Sequence, residues 1–533
     1  MCVCRKSRAI KPIAHNKSPT THTKLVMNEN LYALFHSRFP ADKATTFLET
    51  EYGRVITVGE LEDSAARYAG YIRALGVAPG ERVAVQVEKS PEALILYLAC
   101  LRAGVIYLPL NSAYREGEIA YFLGDAEPKI FIHSSKDSSW VEPICARLGV
   151  AHHFTLNEDG RGSWAENASK AAPMLEVVNR AADDLAAILY TSGTTGRSKG
   201  AMITHRNLSS NALVLHKYWG FKPDDVLLHV LPLFHVHGLF VAAHCILLNG
   251  GRMIFHNKFD AKAAIASLPR VTVFMGVPTL YVRLLAEAAF SESLCRHMRL
   301  FVSGSAPLLA ETFNEFKQRT GQAILERYGM TETGMITSNP LEGAPASRRG
   351  GTVGLPLPGV TVRVLNDDGS IAKAGEIGNI QVKGDNVLPG YWRLPEKNQE
   401  EFTPDGFFKT GDVGLIDADG YVSIVGRSKD LVISGGYNIY PKEIELLIDE
   451  MPGVFESAVI GLPHPDFGEA VAAVVVAKPG QTLDESGMIK VLKSKLANFK
   501  VPKRVFVVAD LPRNAMGKVQ KNELRKQYAP TFS

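Results

Sequence analysis

The sequence predicts an α/β protein. A large N-terminal part of doubly wound α/β subdomains plus a small β-barrel is followed by a smaller, mobile α+β C-terminal domain. Three observations predict this. The 533 residues exceed what a single hydrophobic core organises. From about residue 55 to 430, short apolar runs alternate with helical patterns, as in parallel sheets covered on both faces. After Arg427-Ser428-Lys429-Asp430 the pattern restarts with its own helices and strands. The expected units are therefore a basic tail over 1–27, an N-terminal domain over 28–428 and a C-terminal domain over 429–533.

Residues 1–27 hold Arg5, Lys6, Arg8, Lys11, Lys17 and Lys24 and no acid. This segment reads as a mitochondrial presequence or as the product of a start placed too early, with Met27 the favoured start. Asn30 to Phe35 then opens an amphipathic helix. Strands are expected at Val83–Val87, Ile130–Ile132, Ala187–Leu189, Val271–Phe274 and Leu300–Val302. Helices are expected at Ser90–Ala103, Asn207–Trp219 and Leu308–Arg319. From Val353 to Val425, closely spaced strands with turns such as Asp367-Asp368-Gly369 and Pro404-Asp405-Gly406 predict the barrel. The last domain is expected to hold helices at Lys442–Met451 and Ser486–Ala497, with strands at Ala458–Gly461 and Val471–Val476.

The segment between an apolar strand and the helix at Asn207 carries the chemistry. Thr191, Ser192, Gly193, Thr194, Thr195, Gly196, Arg197, Ser198 and Lys199 combine five hydroxyls, two glycines and two cations, with Gly200 following. Glycines let backbone N–H groups converge on an anion, hydroxyls add donors and Lys199 adds charge. This is a polyphosphate cradle with a spacing different from the Walker loop. Downstream, Arg327-Tyr328-Gly329-Met330-Thr331-Glu332 joins an aromatic face for a nucleobase, a hydroxyl for phosphate and a carboxylate for Mg²⁺. Asp412, in Phe408-Lys409-Thr410-Gly411-Asp412, suits two ribose hydroxyls, and Arg427 adds a ribose or phosphate contact. Pro512-Arg513-Asn514-Ala515-Met516-Gly517-Lys518 sets a lysine on a glycine turn.

In this order and spacing the motifs resemble the adenylate-forming superfamily of acyl-CoA synthetases, adenylation domains and beetle luciferases, over Asn28 to Tyr528. The resemblance implies an AMP-forming acid–thiol ligase that uses ATP, Mg²⁺ and CoA. It assigns Thr191 to Lys199 to the ATP phosphates, and Tyr328 with Ser303, Gly304, Ser305, Ala306 and Pro307 to adenine. Thr331 goes to phosphate, Glu332 with Thr191 to Mg²⁺, and Asp412 and Arg427 to ribose. Lys518 serves the attacking carboxylate, and Lys429 is the hinge. Ser434, Gly435, Gly436 and Tyr437 face the CoA pantetheine. His235 stands between the acyl pocket and the thiol channel.

Closer still, Leu325 to Thr333 and Pro512 to Lys521 resemble malonyl-CoA synthetases. There Arg283 and Arg327, with His237 beside them, hold the distal carboxylate of malonate, and methylmalonate is a secondary substrate. The alternatives are a ligase for another short-chain acid, or a stand-alone adenylation enzyme that loads a carrier protein. Lys518 is also a candidate target of a lysine acyltransferase.

Composition narrows the field. Without the six cations of the tail, the 59 basic side chains no longer outnumber the 55 acidic ones, so charge offers no case for nucleic acid. The apolar stretch Val226 to Leu248 contains Pro232, Gly238 and four histidines, which argues against a membrane span. Six cysteines without C-x-x-C spacing predict reduced thiols. A cytoplasmic location is expected, with the mitochondrial matrix as the alternative if residues 1–27 are a transit peptide.

Overall fold

The computed structural model describes residues 28–191, 198–341, 348–434, 437–514 and 517–532. The basic tail expected over 1–27 lies outside these residues, as do Ser192 to Arg197 of the cradle and Gly435 and Gly436.

Local signals place the first helices. Asn30 caps Leu31–His36, its side chain accepting from the Tyr32 N–H, while its amide group donates to Leu101 O and Val178 O at 2.7 and 2.9 Å. Thr57 and Glu60 form a reciprocal capping box at the start of Val58–Ala74. Ser90 caps Pro91–Ala103, and Gly104 ends that helix at φ 68°. Every residue of Pro91–Ala103 is buried, which explains why its composition is apolar all round.

Among the described residues the strands form four sheets. A six-stranded sheet runs in the order His152–Thr155, Ile130–His133, Arg82–Gln86, Ile106–Pro109, Leu185–Thr191, Lys199–Thr204. It is parallel except for its last strand, which returns antiparallel and pairs Thr191 with Lys199. A nine-stranded sheet is parallel through Leu325–Met330, Leu300–Ser303, Val273–Gly276, Val226–His229, Arg252–Phe255 and Thr46–Thr50. Antiparallel strands close both of its edges. One continuous apolar core spans both sheets, with Trp164, Trp219, Tyr97 and Tyr281 fully enclosed.

The small barrel expected near residue 400 is instead a four-stranded antiparallel sheet, Thr361–Leu365, Gly378–Lys383, Phe408–Ile416 and Val422–Arg427. Its outer strands do not pair with each other among the described residues. The reason is where its apolar side chains go: Val382 and Phe408 join the large core, and the cluster confined to the sheet, buried Val364, Ile380 and Val422 with partly buried neighbours, is small for a closed barrel. The chain then passes through a tight turn at Ser428–Asp430. The last unit is a five-stranded sheet built on the long hairpin Val454–His464 and Gly468–Ala477, flanked by the helices Pro441–Asp449, Glu485–Lys495 and Lys521–Tyr528. Cys100, Cys145, Cys245 and Cys295 are buried free thiols, and no described helix is long and apolar enough to cross a membrane.

Candidate active site

The site forms where the strand ends of the two large sheets meet the turn before the last domain. Thr191 ends one strand, and its hydroxyl donates to the Glu332 carboxylate across 3.2 Å. The Tyr391 hydroxyl donates to the same oxygen at 3.1 Å. Tyr391 reaches this place because its segment extends the cradle strand, with Trp392 N–H donating to Gly200 O and Met202 N–H to Gly390 O. Lys199 lies over the Tyr391 ring, 4.1 Å from its centroid, and pairs with Glu401 at 3.1 Å.

One carboxylate opposite one hydroxyl is a donor set that fits Mg²⁺, which takes few protein ligands and completes its shell with phosphate and water. No group of three His, Cys, Asp or Glu that could hold a metal by itself occurs among the described residues.

Asp412 faces Arg427 across the antiparallel register, with Arg427 Nε 2.7 Å from Asp412 Oδ1, and the Tyr328 hydroxyl donates to its other oxygen. Burial pushes the Asp412 pKa up, while Arg427 and the Tyr328 hydrogen bond oppose the shift. Successive side chains leave opposite faces of a strand. Glu326 and Tyr328 therefore share the face toward Asp412, and Arg327 takes the other.

Arg327 is 3% exposed. Its Nε and one Nη make no hydrogen bond among the described residues, and neither do His237 Nε2 and Ser303 Oγ. No ion pair joins Arg327 to the neighbouring Glu326 among the described residues. Glu326 instead accepts from the Leu308 N–H at 3.3 Å, and burial raises its pKa to about 8. Burial lowers the Arg327 pKa to about 9, which still leaves a cation at neutral pH. Gly304 lies directly on the guanidinium, where a Cβ would stand 2.5 Å from Cζ. Ser305 holds a left-handed φ of 71°, a strained state for a serine, and its Oγ is 3.3 Å from His237 Nδ1. His235 Nδ1 accepts from the His237 N–H at 3.2 Å. Its pKa is pushed down to about 3 by burial, then by the cations Lys518 and Arg327.

Lys518 comes into this cleft from the last domain. Its glycine turn rests on the large domain, where a Cβ on Gly517 would stand 3.5 Å from the Thr279 hydroxyl. Lys518 keeps an exposed surface, yet the cleft walls strip enough water to lower its pKa. Arg427 adds to that effect, while Asp412 and Glu332 oppose it.

A carboxylate–guanidinium pair, an aromatic ring, a hydroxyl–carboxylate pair and two lysines thus converge on one cleft. A family model of the AMP-binding enzyme matches residues 35–392, and one of the AMP-binding enzyme C-terminal domain matches 443–518. The chain belongs to the AMP-binding enzyme family.

This AMP-binding enzyme is similar to ATP-bound MatB from Rhodopseudomonas palustris, with 54% identity and a TM-score of 0.92 over 95% of this chain and 100% of that one. It is 37% identical to a malonate–CoA ligase of Arabidopsis thaliana over 496 residues, 86% of this chain and 79% of that protein. It is 36% identical to a feruloyl-CoA synthase of an Amycolatopsis species over 480 residues, 89% and 94% of the two chains.

The remaining residues of the AMP-binding enzyme fall in different places. Arg283 lies on the last turn of the helix Pro278–Leu285, exposed, with no hydrogen bond or ion pair among the described residues. Thr331 is half-buried beside Glu332, and Ala306 and Pro307 lead outward from Ser305. Lys429 is exposed within the Ser428–Asp430 turn. Ser434 is buried, whereas Tyr437 is exposed and stacks on Phe499 with centroids 4.4 Å apart. Tyr391 and Glu401, partners of Glu332 and Lys199, escaped sequence reasoning. Their one available signal is the Gly390-Tyr391-Trp392 aromatic pair, which reads equally well as core.

Proposed function

We propose that this AMP-binding enzyme is a malonate–CoA ligase that forms malonyl-CoA, AMP and pyrophosphate from malonate, ATP and CoA through malonyl-adenylate, with methylmalonate a secondary substrate. The observation that carries the reading is Arg327, a buried guanidinium with two unsatisfied N–H donors beside the unsatisfied His237 Nε2 and Ser303 Oγ. Buried polar groups are costly unless paired, so this corner suits a ligand that brings its own anion. Malonate offers a second carboxylate just beyond the reacting one, and the curated Arabidopsis relative is named for that acid.

One malonate carboxylate attacks the α-phosphorus of ATP, and pyrophosphate leaves with the bonding electrons. Both reactants are anions, so Lys518 and Lys199 lower the repulsion between them. Bound between Thr191 and Glu332, Mg²⁺ would neutralise phosphate charge. Arg327 holds the distal carboxylate and so fixes the attacking one. Asp412 and Arg427 take the ribose, and Tyr328 lies against adenine with the segment Ser303 to Pro307.

The CoA thiol then attacks the acyl carbon. Its proton is lost and AMP departs as the leaving group. Lys518 must clear the site for this step, and the turn at Lys429 is where the domain over 429–533 would swing from that over 28–428. The swing would bring Ser434 and Tyr437 toward the pantetheine arm. Acylation of the exposed Lys518 by a lysine acyltransferase would remove its charge and stop the first step only.

Thioester formation measured with acetate, propionate, malonate, methylmalonate and succinate tests the reading. Malonate is expected to exceed acetate by at least a hundredfold in kcat/KM. A preference for propionate, or AMP release only when a carrier protein replaces CoA, overturns it.

A further inference from the structure

A second buried cation has no role in the reaction described so far. Lys89 follows the strand Arg82–Gln86 and directly precedes the helix cap Ser90. Its side chain crosses to the other large sheet, where Nζ donates to His229 O at 2.8 Å and lies 2.8 Å from His229 Nδ1. The Phe255 ring centroid is 4.2 Å away. Lys89 is 7% exposed and has no carboxylate in salt-bridge reach among the described residues. An ammonium buried this way is unfavourable unless its hydrogen bonds are specific.

The chain of contacts continues. His229 Nε2 is 2.9 Å from Gly238 O, and a carbonyl can only accept. Nε2 therefore carries the proton and Nδ1 is the lone-pair side that receives the Lys89 donor. Gly238 is the second residue of the π-helical turn His237–Ala243, a geometry that recurs at functional sites. That turn is folded tightly, since a Cβ on Gly238 would meet Pro232 O at 2.1 Å. Between Pro232 and Gly238 lie His235 and His237, the two histidines of the acyl corner. Lys89, Pro232 and Phe234 also line a cavity of about 220 Å³ that none of Lys199, Tyr328, Glu332, Asp412 or Lys518 lines. The segment that Lys89 pins is thus a wall between this cavity and the adenylating cleft.

We infer that Lys89 is a positioning residue for thiol transfer: through the fixed tautomer of His229 it anchors the Gly238 carbonyl, and so sets the wall carrying His235 across which the thiol must reach the acyl-adenylate. The inference rests on the ligase reading, but concerns only its second half. ATP and malonate meet Lys518, Glu332 and Arg327, and the His237 ring on the same wall has its own contact in Ser305, 3.3 Å from Nδ1, so adenylation depends on the anchor less than thiol transfer does.

The experiment separates the two halves. In K89M, malonate-dependent pyrophosphate exchange stays within threefold of the wild type, while CoA-dependent AMP release falls at least tenfold, chiefly in kcat. H229Q shows the same split, and the double variant K89M/H229Q is no worse than either single one, because all three break one chain. Equal losses in both half-reactions, or additive losses in the double variant, overturn the inference. A wild type without malonate-dependent exchange overturns the ligase reading instead. A readout independent of any variant's folding is the ¹⁵N spectrum of histidine-labelled wild type. His229 is expected as the Nε2–H tautomer from pH 6 to 8, and an Nδ1–H tautomer or an imidazolium there refutes the chain.

Discussion

At the residue scale the acyl corner is decided by one side chain more than by two. Arg283 and Arg327 both stand out in the sequence, but only Arg327 is buried with donors unspent. Removing a buried partner of a carboxylate costs on the order of 2–5 kcal/mol, or roughly 30-fold to a few thousand-fold. R327A is expected to lose that much kcat/KM for malonate while ATP binding, read by isothermal titration, changes less than twofold. R283A is expected to lose under about tenfold. Equal losses would show that Arg283 turns inward when substrate binds, and unchanged malonate kinetics in R327A would remove the clamp.

Glu326, one residue away, gives a pH prediction. Its folded pKa of about 8 lies above the ordinary 4.5, so the folded chain holds a proton that the unfolded chain releases between those values. Stability from this group is complete below pH 4.5 and is lost as pH rises through about 8. Denaturant unfolding from pH 5 to 8.5 should therefore cost the wild type more stability than E326Q, by up to a few kcal/mol. Parallel pH profiles for the two proteins would show that Glu326 is not the group responsible.

At the element scale, close backbone approach explains what periodicity cannot. The strands and helices were legible because buried parallel strands are short apolar runs, and because caps such as Asn30, Ser90 and Gly104 mark where helices start or stop. The motifs on them were legible because chemistry-bearing residues cluster in sequence. Tyr391 and Glu401 were not, since they reach Glu332 and Lys199 from 59 and 202 residues away, and neither carries a local signature. Nor was the two-faced strand Leu325–Met330, which sends Arg327 to the corner of His237 and Ser303 and Tyr328 to Asp412. The barrel was misjudged because turn spacing reports the strands and not whether their edges meet.

Gly304 tests the backbone argument. A methyl there would stand 2.5 Å from the Arg327 carbon that bears the guanidinium charge, so G304A should displace Arg327. Malonate KM is expected to rise at least tenfold with the melting temperature within a few degrees. An unchanged KM would mean that Arg327 has another seat.

For the whole molecule, Lys518 is the link between domain position and chemistry. It belongs to the last domain, yet its charge acts on His235, Asp412 and Glu332 of the large one. With the Gly517 turn resting on Thr279, the arrangement suits the adenylating step. That step brings two anions together, and a preorganised cation there contributes several kcal/mol to transition-state stabilisation. Thiol attack on the acyl carbon also develops negative charge, on the carbonyl oxygen and the departing phosphate, but Lys518 has to clear the site before the thiol can enter.

K518A should therefore slow malonate-dependent pyrophosphate exchange by at least a hundredfold. The same variant, given chemically prepared malonyl-adenylate and CoA, should form malonyl-CoA within about threefold of the wild-type rate. A fall in both reactions would mean that Lys518 also serves the second step, and that a single placement of the last domain suffices for the whole cycle.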